Sequence, residues 1–205
     1  MVLKVLNLYS GIGGNRMKWG DKYEVTSVEY SKQIANVYTQ LFPNDRIIIG
    51  DAMQYLLKHY HEFDIIWASP PCQTHSLARS WEVRYIDCSL YQIILFLDKH
   101  FEGKYIVENV NPYYGALIKP TKMIDRHCFW TNFNISNVTF SANNKPDIQT
   151  AKNQEFLDYY GINMEGFTFQ KGLNKNKMFR NMVDPELGNI LIEKAVKPSP
   201  NLFQF

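Results

Sequence analysis

One thiol in this chain is placed to act as a nucleophile. Cys72 follows Ser69-Pro70-Pro71 and precedes Gln73. Two prolines fix the backbone in front of it, so the sulfur is held without the entropy of a flexible loop. A free thiol with a pKa of about 8.5 is only a few per cent thiolate at neutral pH, so nucleophilic work needs surroundings that favour the anion. A carboxyl belongs beside it. Glu108, in Glu108-Asn109-Val110, ends the next apolar extended run, and desolvation there raises a carboxyl pKa and lets it act as an acid. Thiol and acid together point to covalent chemistry on an electrophilic ring. A third set is the glycine turn Ser10-Gly11-Ile12-Gly13-Gly14 with Glu29 and Asp51. Backbone N–H groups at a strand-to-helix turn favour nucleotide or carboxylate groups, and an acid at the end of the second strand commonly accepts from ribose hydroxyls. The same glycines also serve tight packing, and the same acids cap helices. No G-x-x-x-x-G-K-[ST] is present, which argues against NTPase-type phosphate binding.

Regular elements must bring these residues to one edge. Val2 to Tyr9 reads as a first strand, followed by the glycine turn and a helical stretch to about Trp19. Glu24 to Glu29 reads as a second strand, Ser31 to Leu41 as a helix capped by Ser31, Arg46 to Ile49 as a third strand, and Phe63 to Ala68 as a fourth. A helix from about Tyr85 to Phe101 leads to the strand Lys104 to Glu108. Repeated strand-helix units imply an α/β fold with a mostly parallel, doubly wound sheet, whose ligands sit beyond the carboxyl ends of the strands. After about Thr131 the chain turns irregular and mildly basic, and a last helix begins after Asp184-Pro185 and runs to about Val196.

The chain has 205 residues, 45% hydrophobic and 20% charged, which fits one globular domain and excludes collagen-like and disordered classes. A net charge of +2 does not announce a nucleic-acid partner. No apolar run reaches the roughly 18–20 residues that span a bilayer, and Met1 to Tyr9 reads as a strand rather than a signal peptide. Cys72, Cys88 and Cys128 are odd in number and lack paired C-x-x-C spacing, which fits a reducing, cytoplasmic compartment, of a bacterium or a phage-infected cell.

Taken in order, Leu8-Tyr9-Ser10-Gly11-Ile12-Gly13-Gly14, Glu29-Tyr30, Gly50-Asp51, Pro70-Pro71-Cys72-Gln73, Glu108-Asn109-Val110, Arg126-His127-Cys128-Phe129-Trp130 and Arg180-Asn181-Met182-Val183-Asp184-Pro185 resemble the motifs of the DNA (cytosine-5) methyltransferases. The resemblance covers residues 3 to about 130 and 178 to 196. It implies a Rossmann-like fold that binds S-adenosylmethionine, releases S-adenosylhomocysteine and methylates double-stranded DNA, as in restriction-modification. Carried over, it places Tyr9, Gly11, Gly13, Glu29, Tyr30, Asp51, Pro71, Asn181 and Val183 at the cofactor. Cys72 becomes the nucleophile and Glu108 its acid partner. The family's Q-x-R-x-R segment is blurred into Asp125, Arg126 and His127, of which Arg126 is the choice for the base oxygen. The terminal motif has Arg180 where glycine is usual. The catalytic domain comprises 1–130 and 179–205, and 131–178 is a short inserted target-recognition segment of 48 residues. Exchanging that segment should change the target and leave cofactor binding intact.

Gln73, Arg79, Trp81 and Arg84 lie just beyond the nucleophile and could fill the duplex or grip phosphates around an extruded base. The bland reading of these residues is an ordinary exposed loop. Lys171, Lys175, Lys177 and Arg180 could likewise bind phosphates or form a solvated loop. Cys72 and His75 are spaced C-x-x-H, but two tight ligand pairs are not visible and no metal is expected. Three other classes stay open: an RNA cytosine-5 methyltransferase of the same fold, a non-catalytic binding subunit, and an amino-methyltransferase. The last usually has an aromatic where Cys72 stands. A partner or oligomer that adds specificity also stays open.

Overall fold

The structure, a computed structural model, describes residues 2–76, 85–142, 145–147 and 150–197. Among them, seven strands form one sheet: β1 (Leu3–Leu8), β2 (Tyr23–Glu29), β3 (Arg46–Ile49), β4 (Ile65–Ala68), β5 (Lys104–Val110), β6 (Lys122–Ile124) and β7 (His127–Thr131). Their order is β3-β2-β1-β4-β5-β7-β6, with β1 to β5 parallel and β7 antiparallel to both neighbours. Successive strands are added outward in opposite directions from the β1–β4 pair, and such a switch in strand order opens a crevice at the carboxyl ends of these strands. The helices are α1 (Lys32–Leu41), α2 (Ala52–His59), α3 (Ser89–His100), α4 (Asn153–Tyr160), α5 (Lys175–Arg180) and α6 (Pro185–Val196).

Strand alternation sorts the apolar residues onto two faces. Leu6 and Leu8 of β1, Ile66 and Ala68 of β4 and Val107 of β5 join Leu56 of α2 and Leu90, Ile94 and Leu97 of α3 in one cluster. Val5, Trp67, Ile106 and Phe129 point the other way and meet Trp19 and Leu187, Leu191 and Ile192 of α6. Both faces are covered, as parallel strands require. A third cluster joins Ile12 of the glycine turn and Val37 of α1 to Phe156, Met178, Phe179 and Met182.

Strands β1 to β5 and helices α1, α3 and α6 lie close to the residues that their patterns indicated. The stretch to Trp19 differs: it is no α-helix but successive turns, with Gly13, Arg16 and Trp19 each donating to the carbonyl three residues back. Long-range anchors explain this. Asn15 bonds the buried Asn7 at 2.9 Å, Arg16 forms a two-pronged ion pair with Asp45 at 2.9 Å, and Trp19 Nε1 donates to the Gly188 carbonyl at 3.2 Å. Three anchors in three directions outweigh local helix geometry. The helix dipole expected behind the glycine turn is therefore absent.

Helices α2, α4 and α5 and strands β6 and β7 have no counterpart in the sequence reading. The third cluster also shows that the stretch 131–178 is not a free-standing insert. Gln33, Asn36 and Gln40 of α1 hold the carbonyls of Lys171 and Thr168, and Thr168 N donates to Gln40. The segment is bolted to α1 and packs on Ile12 in the glycine turn itself.

Candidate active site

Four strand ends build the site. Beyond β1 and β2, Ser10 N donates to the Val28 carbonyl; beyond β4, Ser69 N donates to Leu8; and Gly50 N donates to Glu29. The sheet ladder thus continues past the strands and brings the glycine turn, Glu29, Asp51 and Ser69 to one edge.

At the glycine turn, Gly13 takes φ +83°, and a Cβ there would lie 2.5 Å from the Phe42 ring, so only glycine lets the turn close on α1. On its other side the turn meets the terminal motif: a Cβ on Gly14 would lie 2.5 Å from the Val183 carbonyl oxygen. Met182 and Val183 are thereby brought against the turn, although the Val183 side chain belongs to the core, and Asn181, just before them, is exposed. Glu29 grips the turn directly, accepting from Gly11 N at 3.0 Å and from Ser31 N at 2.8 Å. Asp51 caps α2 by accepting from Gln54 N at 2.8 Å. Tyr9 sits in the left-handed region at φ 56°, a strained setting of the kind that collects at functional sites. Burial, together with the charges of Asp51 and Asp87, pushes its phenol up to about 12. Tyr30 is exposed at the mouth.

On the other side of β1, the loop after β4 carries Pro71, exposed, and Cys72 and Gln73, half-buried. Its shape is set from β5. The buried Asn109 side chain donates to the Pro70 carbonyl at 2.9 Å and accepts from Val110 N at 2.9 Å. His75 N and Ser76 N both donate to the Cys72 carbonyl at 3.0 Å, closing a turn behind the thiol. The His75 ring is fully buried with Nδ1 2.8 Å from the Tyr114 hydroxyl, which in turn lies 3.0 Å from that of Tyr91.

Cys72, Glu108 and Arg126 lie within electrostatic reach of one another, and His127 touches both Glu108 and Arg126. Burial pushes the Cys72 thiol up, the Glu108 carboxylate adds to this, and the loop backbone, Arg126 and Lys177 offset it only in part. The free protein therefore holds a thiol, contrary to the need for surroundings that favour the anion. Glu108 also departs from the sequence reading. Burial alone raises a carboxyl pKa, but the His127 ring, the Ser69 hydroxyl and Arg126 outweigh it and hold Glu108 below the usual range. The cause is register: Glu108 faces Phe129 across the β5–β7 pair, which makes His127 its diagonal neighbour on the same face. His127 Nδ1 lies 2.5 Å from Glu108 Oε1, and Arg126 Nε donates to His127 Nε2 at 3.2 Å.

The segment after β7 reaches this cleft too. Burial and the charge of Arg126 push the Lys145 ammonium down, with Asp184, Asp125 and Glu108 opposing; its Nζ lies 6.0 Å from the Tyr160 ring centroid. Arg79, Trp81 and Arg84 lie outside the described residues, as do residues 77–84 as a whole. Among the described residues, no group of three His, Cys, Asp or Glu side chains is placed to hold a metal ion, and no helix is long and apolar enough to cross a membrane. Asn109 and Tyr114 were given no role from sequence, and His127 was weighed only beside Asp125 and Arg126 for the base oxygen, not as a partner of Glu108. Asn109 and His127 nevertheless stand inside the quoted motifs, while Tyr114 had no signal.

The sheet order and the crevice define the fold of S-adenosylmethionine-dependent methyltransferases. Residues 3–112, more than half of the chain, match the model of the C-5 cytosine-specific DNA methylases, and the chain belongs to this family. Two solved structures share its fold over nearly its full length. One is a variant of the Spodoptera frugiperda protein DNMT2, at TM-score 0.58 and 14% identity, covering 95% of this chain and 100% of that one. The other is the Entamoeba histolytica methyltransferase EhMeth, at TM-score 0.56 and 11% identity, covering 95% and 98%. No curated protein matches the chain by sequence.

Proposed function

We propose that this protein transfers a methyl group from S-adenosylmethionine to carbon-5 of a cytosine in DNA, through a covalent bond between Cys72 and carbon-6. The observation that supports the reading is that Cys72, Glu108 and Arg126 lie within electrostatic reach of one another at the sheet edge that also carries a glycine turn gripped by an acid.

The residues at the crevice fit the cofactor. Ser10 Oγ is buried with no hydrogen-bond partner, and a Cβ on Gly11 would meet no atom within 4 Å, so the turn offers both an unused polar atom and open space. Gly11 and Gly13 would let the backbone approach the methionine part. Glu29 would hold the ribose hydroxyls, while Tyr9, Tyr30, Asp51 and Pro71 would line the adenine side, with Asn181 and Val183 closing the far wall. When bound, S-adenosylmethionine supplies an electrophilic methyl group.

The remaining work falls to the chain's own side chains. Cys72 loses its proton to solvent and adds to carbon-6, which leaves carbon-5 electron-rich. Glu108, acting as an acid, gives a proton to ring nitrogen-3 and Arg126 meets the base oxygen, which together take up the charge displaced by that addition. Carbon-6 is out of a thiolate's reach inside a stacked duplex, so the cytosine is extruded, and Gln73, Arg79, Trp81 and Arg84 are the residues proposed to support the gap. The stretch 131–178 is the proposed reader of the target.

The test is methyl transfer from labelled S-adenosylmethionine to duplex DNA and to transfer RNA in parallel, followed by nucleoside analysis. 5-Methyldeoxycytidine is the expected product. 5-Methylcytidine alone would move the substrate to RNA, and a labelled exocyclic amine would refute carbon-5 chemistry.

A further inference from the structure

The reading above, on which this inference rests, asks Glu108 to give a proton to ring nitrogen-3, yet an ionised carboxylate has none to give. The group in contact with it is His127, whose Nδ1 stands 2.5 Å from Oε1. The opposite ring nitrogen, Nε2, accepts from Arg126 Nε at 3.2 Å. A guanidinium has donors only, so Nε2 is the bare nitrogen and Nδ1 carries the hydrogen. With its hydrogen on Nδ1, the imidazole lies between a cation and an anion. Such an imidazole cannot release its Nδ1 proton without becoming an imidazolate. It can once a second proton sits on Nε2, and Arg126 occupies that nitrogen.

We propose that His127 is a positioning residue that loads Glu108 with the proton used at nitrogen-3, and that Arg126 blocks loading until it turns from Nε2 to the base oxygen. Water then protonates Nε2. The His127 Nδ1–H bond breaks as an O–H bond forms on Glu108, and that proton passes to nitrogen-3 while Cys72 Sγ bonds carbon-6. After methyl transfer the carbon-5 proton leaves to water and its bonding pair closes the carbon-5–carbon-6 double bond as the electron pair of the C–S bond returns to Cys72; the nitrogen-3 proton passes back through Glu108 to His127 Nδ1, and Nε2 returns its proton to water as Arg126 turns back. Loading has a second benefit. It removes the carboxylate charge that helps hold the Cys72 thiol up. The other charged groups around the unit are Asp125 in the turn before β7, Lys145, Lys177 of α5 and Asp184 at the cap of α6. Their opposite signs leave the Arg126–His127–Glu108 line as the dominant set of contacts.

Imidazole-nitrogen NMR on the full chain tests the contact without any substrate. His127 should be the Nδ1–H tautomer near neutral pH, and Arg126→Ala should convert it largely to Nε2–H or to the imidazolium. An Nε2–H tautomer in the unmodified protein, or no change in Arg126→Ala, overturns the gate. Kinetics test the loading. His127→Gln should lower turnover by about 100-fold, the upper part of its effect falling on the alkaline side of the pH profile. In a Glu108→Gln background, whose amide already bears hydrogens, the same change should cost less than about 2-fold. An equal loss in both backgrounds would make His127 merely structural and overturn the proposal. If the unmodified protein methylates no cytosine in DNA or RNA, the proposed function fails, and the tautomer result still decides the His127 contact by itself.

Discussion

Asn109→Ala probes how β5 shapes the nucleophile loop. The Asn109 side chain is 1% exposed, and its amide makes two hydrogen bonds of 2.9 Å, to the Pro70 carbonyl and from Val110 N. Truncation removes both, each worth about 0.5–1.5 kcal/mol net, and leaves the Pro70 oxygen without a partner, at a further cost of about 1–3 kcal/mol. The total is about 4 kcal/mol, or roughly 8–16 °C in melting temperature for a chain of this size. Because Pro70 lies two residues before Cys72, turnover should fall further than stability alone explains; a misplacement of about 1 Å costs around 100-fold. Cofactor affinity should hold, since Glu29 and Asp51 are anchored elsewhere. Asn109→Asp keeps the shape but sets an oxygen against the Pro70 oxygen, so it should destabilise at least as much. Urea unfolding, single-turnover methyl transfer and cofactor titration measure the three effects. An Asn109→Ala protein with an unchanged unfolding midpoint and full turnover would refute the reasoning.

Asp51→Ser should keep the cap on α2 and lose cofactor affinity, whereas Asp51→Ala should lose affinity and also about 1 kcal/mol of stability; calorimetric titration and thermal melts separate the two roles. Glu108 is held below the usual carboxylate range when folded, against about 4.3 unfolded. Its contribution to stability is therefore full above the unfolded value and is lost as pH falls through the folded one. Acid unfolding of Glu108→Gln should lack that part of the decline. Exchanging the stretch 131–178 for that of a relative should lower cofactor affinity along with changing the target, because the segment packs on Ile12 in the glycine turn; unchanged affinity in calorimetry would show that the shared cluster is not coupled to the site.

What the sequence disclosed and what it hid follow from the range of the forces involved. Strands β1 to β5 carry their own signal in β-branched runs, and the prolines before Cys72 and the acid of β5 mark the edge where a parallel sheet must place them. The charge state of Glu108 was hidden because it depends on the antiparallel register that sets Glu108 against Phe129 and so next to His127. A slip of one residue would have turned His127 to the opposite face. The helix behind the glycine turn was misread because Asn15, Arg16 and Trp19 are claimed by partners at Asn7, Asp45 and Gly188, far away in sequence. Asp51 carried both a capping and a ligand signal, and the capping half also marks the start of α2, an eight-residue helix too short to announce itself by periodicity.

Cytosine-5 chemistry by Cys72 is tested most directly with a polymer bearing 5-fluorocytosine. Fluorine replaces the proton that must leave carbon-5, so elimination stops and protein, methyl group and base stay joined. The account predicts a denaturation-resistant adduct that requires S-adenosylmethionine, maps to the Cys72 peptide by mass spectrometry and disappears in Cys72→Ser. An adduct on Cys88 or Cys128, or efficient methylation by Cys72→Ala, would contradict it.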